Sequence, residues 1–151
     1  MRKMALIVAL SASFTGCASV PMETGEASEK AKTFAAPAAG SAGLYVYRDS
    51  VLGKAQKMDV WVDGKCLGES AGDTFFYTQV KGGMKYEIST ESEFSPNKIS
   101  LMFEAGKNHF VRQYIKLGVV LEGADLEVVP EDQAKAAITK LNLAKPGTCS
   151  Q

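Results

Sequence analysis

Cys17 is the residue whose setting points most directly to chemistry. It closes the run Phe14-Thr15-Gly16-Cys17, behind an apolar stretch that starts at Met4 and follows Arg2 and Lys3. A basic start, a short apolar core and small residues before a cut are the parts of a secretory signal, and the run is far short of the roughly 20 apolar residues a spanning helix needs. The pattern reads as a lipoprotein processing signal. Residues 1–16 are expected to be removed, leaving Cys17 as a lipidated first residue, although Phe14 stands where Leu is the usual choice. Once Cys17 is committed to a thioether, Cys66 and Cys149 remain as a candidate disulfide in an oxidising compartment.

Other chemistry-bearing residues are sparse. His109 is the one histidine, so histidine-dependent catalysis would have to run through it. A triad also needs a serine on a sharp exposed turn, and no Gly-x-Ser-x-Gly occurs. His109 is therefore expected to be a strand-end residue with an ordinary hydrogen bond. Asp59, Asp63, Glu69 and Asp73 lie close in sequence, yet the Asp-x-Asp-x-Asp-Gly run of a calcium loop is missing, and solvated charges that keep sheet edges from aggregating account for them. No CxxC spacing suggests a metal. The expectation is no catalytic residue, no metal and no cofactor.

Aromatic residues make a stronger case for binding. Trp61, Tyr45, Tyr47, Phe75, Phe76, Tyr77 and Tyr114 exceed what one alternating face can hold, since neighbours such as Phe75 and Phe76 must point opposite ways. Trp61 standing outward with Asp59 and Asp63, together with Tyr45 and Tyr47, would form an aromatic platform edged by polar groups, suited to a sugar ring, a peptide or a protein. The alternative is that the helix after Pro130, or a long loop, covers this face.

These residues need elements to hold them. From Ala18 to Ala42 the composition shifts to Ala, Ser, Gly, Thr, Pro and Glu with Phe34 the sole aromatic, which predicts a flexible tether over residues 17–42. Strand signals begin at Gly43 and recur between Gly, Asp, Asn and Pro. Alternation is cleanest where Met84, Tyr86 and Ile88 oppose Lys85, Glu87 and Ser89, and where Ile99, Leu101 and Phe103 oppose Lys98, Ser100 and Glu104. Asp63-Gly64 predicts a tight turn. Pro130 then opens a helical pattern, with Glu131 and Asp132 in the first turn and Ala134, Ala137, Ile138 and Leu141 at helical spacing. About seven strands and one C-terminal helix predict a mostly β domain over residues 43–151, an antiparallel β-sandwich.

Charge is balanced at 17 basic and 17 acidic residues; losing Arg2 and Lys3 leaves 15 against 17, a mature net charge of −2. Lysines are interspersed with carboxylates along nearly every segment, which argues against nucleic acid as a partner.

Leu44-Tyr45-Val46-Tyr47-Arg48, Val60-Trp61-Val62-Asp63-Gly64-Lys65, Lys81-Gly82-Gly83 and Glu104-Ala105-Gly106-Lys107 together resemble the domain-of-unknown-function 2846 family, small bacterial proteins of which many carry lipobox signals. The resemblance implies a fold over most of residues 43–129 and no particular activity. Val60 to Ser89 is also similar to surface-layer β-sandwich repeats with an Asp-Gly-Lys hairpin and a Gly-rich turn. It departs from them in lacking a proline after Gly68-Glu69 and in reading Lys-Gly-Gly-Met at the turn. The expected protein is a lipid-anchored envelope component that binds or scaffolds without turnover, its membrane contact the lipid and its partner an envelope protein or a cell-wall glycan. Ala18 and Ser19 after the cysteine, where Asp would signal inner-membrane retention, point to the periplasmic face of an outer membrane. A glycan- or small-ligand-binding module is the second expectation and a hydrolase the third.

Overall fold

In the computed structural model, the described residues are 19–50, 52–92, 96–117 and 122–150. Cys17 and the processing signal lie outside them. The chain is mostly β, with strands β1 (Ser41–Arg48), β2 (Met58–Val62), β3 (Lys65–Ser70), β4 (Thr74–Lys81), β5 (Met84–Thr90), β6 (Asn97–Phe103), β7 (Asn108–Leu117), β8 (Glu122–Val128) and β9 (Asn142–Leu143). Two helices complete it, α1 (Gly25–Ala31) and α2 (Glu131–Ile138).

The strands form two sheets, ordered β8-β7-β1-β4-β9 and β3-β2-β5-β6. Local patterns place the second one. Asp63 and Gly64 adopt φ of 48° and 70°, the doubly positive pair of a type I′ turn, and join β2 to β3 with Val62 opposite Lys65. Antiparallel pairing of β5 with β6 sets Ile88 against Ile99 and Tyr86 against Leu101, so the apolar sides face the same way. Lys98 and Glu87 meet at 2.8 Å on the solvated side.

The five-stranded sheet corrects the expectation of purely antiparallel pairing. β1 runs parallel to β7, and β4 parallel to β9, while β1–β4 and β7–β8 are antiparallel. Parallel neighbours need a long crossover, and for β1 and β7 that crossover contains the whole four-stranded sheet. Gly82 and Gly83 turn the chain from β4 in one sheet to β5 in the other, and a Cβ on Gly82 would lie 2.5 Å from the Cα of Ala105. The glycine is required by that close approach.

Apolar residues from both sheets share one core: Leu44, Val46 and Phe76 from the first, and Val60, Ile88 and Phe103 from the second. A second cluster lies on the opposite face of β1, where Tyr45, Tyr47, Phe75 and Phe110 pack with Ala31 of α1 and with Ala134 and Ile138 of α2. β1 is thus buried on both faces from Ala42 to Arg48, which explains its lack of polar alternation.

The segment expected to be a flexible tether is docked on the domain from Val20 onward. Thr24 caps α1 by accepting a hydrogen bond from the Ala27 N–H at 3.2 Å, and Tyr45 donates its hydroxyl to the Ala31 carbonyl at 2.9 Å. Met22 bridges Ala144, with the Glu23 N–H donating to the Leu143 carbonyl at 2.9 Å. A composition too poor to fold alone is ordered because a preformed aromatic face supplies the apolar contact. Ala31 is buried in that contact with Phe34 packed against it, while Val20 is buried in the core between the sheets.

Candidate functional site: the clasped face of the four-stranded sheet

Trp61 lies opposite Cys66 on β3 and Ser89 on β5, so these three share one face of the four-stranded sheet. The C-terminal segment reaches it by running from β9 to the free edge of β3, where the Gly147 N–H donates to the Leu67 carbonyl at 2.8 Å. Cys149 is then disulfide-bonded to Cys66, their Cα atoms 6.0 Å apart and 83 residues separating them in sequence. Ser150 follows and donates its N–H to the Asp59 carboxylate at 2.9 Å and its hydroxyl at 2.9 Å.

Asp59 is fully buried, and this clasp is what solvates it. Its own N–H donates to Glu91 Oε2 at 3.1 Å. Burial pushes the Glu91 carboxyl up from its ordinary 4.5, a shift that the Asp59 N–H opposes and the Asp59 charge reinforces. The face thus carries two neighbouring acids, one covered by the chain and one partly screened.

The five residues expected to form one platform do not come together. Tyr45 and Tyr47 belong to the five-stranded sheet and lie buried beneath the helices, and burial raises both phenols, Tyr45 well above its usual range. Asp63 is committed to the β2–β3 turn, where its carboxylate accepts the Glu87 N–H at 2.8 Å. Asp59 is under the clasp, and only Trp61 stays half-exposed on the face it was assigned. The proposed covering helix does cover the tyrosines, on the other sheet from Trp61.

His109 has the ordinary role expected of it. Its Nε2 accepts the Glu104 N–H at 3.0 Å and its ring packs against Phe103, 4.6 Å between centroids. Burial draws its pKa below 6.5. Among the described residues no group of three or more potential metal ligands occurs.

Sequence reasoning missed three polar residues, two of them buried, that tie separate elements together. Gln113 on β7 is fully buried between the sheets, where its Nε2 donates to Thr90 Oγ1 at 2.6 Å and its Oε1 accepts from Ser70 Oγ. Ser70 and Thr90 also bond the carbonyls of Met58 and Asp59. This network ties β7 of one sheet to β2, β3 and β5 of the other. Arg48 is also fully buried, with Nη1 donating to the Gln56 carbonyl at 2.9 Å and Nη2 to that of Gly53, and it shapes the loop after β1. Arg112 bonds Asp49 at 2.7 Å and Glu127 at 3.0 Å beside an open cleft of about 410 Å³. Alternating Val111, Gln113 and Ile115 was the available signal for an inward glutamine.

Two packed sheets closed by a disulfide clasp define a small mostly β domain. Residues 38–124 match the protein family of unknown function DUF2846, and the chain belongs to that family. It is also 50% identical, over 140 residues, to an uncharacterized protein of Haemophilus influenzae, covering 93% of this chain and 83% of that relative.

Proposed function

We propose that the protein is a lipid-anchored component of a bacterial envelope, held at the outer membrane and facing the periplasm, whose two sheets form a stiff β-sandwich that binds or scaffolds without catalytic turnover. The observation that carries this reading is the cysteine accounting. Cys66 and Cys149 occupy one another, which leaves Cys17 as the uncommitted thiol of the three, in the sequence setting of a lipobox. A disulfide also suits an oxidising compartment. The lone histidine gives its ring nitrogen to a backbone N–H and packs its ring against Phe103, which supports a non-catalytic role. The partner class is an envelope protein or a cell-wall glycan.

Growth of a bacterium expressing the full chain with an alkyne-bearing palmitate tests the anchor. The label should appear on the wild-type protein and vanish in Cys17→Ala, with the wild-type found in outer-membrane fractions. An unlabelled wild-type protein retaining residues 1–16 would overturn the proposal. Mild crosslinking of the membrane-bound protein followed by capture then tests the binding role, a reproducible envelope protein or glycan being the expected result.

A further inference from the structure

The docked N-terminal segment changes what a lipid at Cys17 would do. A tether ending at residue 42 would let the domain roam, but the chain is already fixed to the sheets from Val20. Only Ala18 and Ser19 lie between Cys17 and Val20, and three extended residue steps span at most roughly 11 Å. Resting on the lipid-anchor reading above, we infer that the end of the domain around Ser19 lies against the bilayer, and that the loops after β1 and β3 form a membrane-contacting surface for anionic headgroups.

The residues gathered at that end fit a lipid surface. Ser19, Val20 and Met22 share a shallow depression with Gly72, Asp73 and Asn142. Lys54 reaches over Gly72 and pairs with Asp73 at 2.7 Å, which brings the loop after β1 to the same place. Met22, 42% exposed, lies in this depression, and Leu52, 57% exposed, is two positions before Lys54 in the loop after β1. The Lys145 N–H donates to the Pro21 carbonyl at 2.7 Å, which sets Lys145 beside the chain that carries Met22, and Lys140 shares a cleft with Asp49 and Asp73. Lys140 and Lys145 are exposed and have no carboxylate partner among the described residues. An exposed Met and Leu with the carboxylate-free Lys140 and Lys145 at the same end match the interfacial zone, where apolar tips enter the acyl boundary and ammonium groups remain among phosphates.

The test uses the full, acylated chain reconstituted in vesicles of phosphatidylethanolamine and phosphatidylglycerol carrying brominated acyl chains. Leu52→Trp in a Trp61→Phe background reports on the proposed surface. Met102→Trp, 59% exposed on the edge strand β6 of the other sheet, is the control. Tryptophan at 52 should lose roughly half its emission, as expected for a side chain 5–10 Å into the interface, while tryptophan at 102 stays unquenched. Lys140→Glu with Lys145→Glu should weaken the quenching. Hydrogen exchange of residues 52–55 and 71–73 in the unmutated protein, slowed on vesicles, provides a second readout. Equal quenching at 52 and 102 with Cys17 acylated by intact mass overturns the surface and leaves the anchor standing. An unmodified Cys17 overturns both.

Discussion

Replacing Cys149 by serine removes the one covalent link that closes the clasp. Closing a loop of 83 residues lowers the entropy of the unfolded chain enough to stabilise the folded one by about 4.5 kcal/mol on the loop-closure relation. That is a large part of the ~5–15 kcal/mol a domain of this kind has. With a urea slope of ~1.5 kcal/mol per molar, the unfolding midpoint should fall by ~3 M. The assay is urea unfolding followed by far-ultraviolet circular dichroism on the domain from residue 19. Ser150→Ala is the internal comparison, because it deletes the hydroxyl bond to Asp59 and keeps the disulfide. It should cost only about 1–2 kcal/mol. The reasoning is refuted if Cys149→Ser and Ser150→Ala shift the midpoint equally, since the clasp would then act through its contacts and not through the loop it closes.

Other perturbations test the interior. Gln113→Ala removes the side chain that links Ser70 and Thr90 between the sheets and leaves a buried gap there, and should cost about 2–4 kcal/mol by the same unfolding assay, where a solvated glutamine would cost almost nothing. Gly82→Ala drives a methyl into the Ala105 backbone and should destabilise by at least ~2 kcal/mol, with a visible loss of soluble protein on expression. Glu91→Gln tests the acids beside the clasp: burial raises the folded-state pKa of Glu91 above 4.5, so its contribution is favourable below that value and is lost as pH rises through the folded pKa. The variant should therefore gain on the wild-type protein at pH 7 and lose that gain at pH 4, and a pH-independent difference would sink the argument.

The parts of the fold that depend on neighbouring residues were legible. Alternation in β5 and β6, the Asp63-Gly64 turn and the helix after Pro130 all follow from dihedral and burial preferences a few residues long. Cys66 and Cys149 could be paired by counting. What the residues alone could not show were relations across the molecule. β9 has two residues and no periodicity, so its parallel place beside β4 exists only because α2 delivers it there. α1 sits in a stretch whose composition predicts disorder, and its order comes from Tyr45, Phe75 and Phe110. The aromatic platform failed for a similar reason. Tyr45 and Trp61 each obey strand alternation, but the pattern does not say that they belong to different sheets.

The parallel placement of β9 has a consequence for how the chain is made. β1 and β4 emerge early, yet the strand that completes their sheet, the bridge to Met22 and the link to Cys66 are all drawn from residues 142–150. Contacts of such long sequence separation form late and slowly. A nascent chain that stops before residue 142 therefore lacks the β9 edge, the bridge to Met22 and the covalent link, and it acquires all three only when that last stretch arrives.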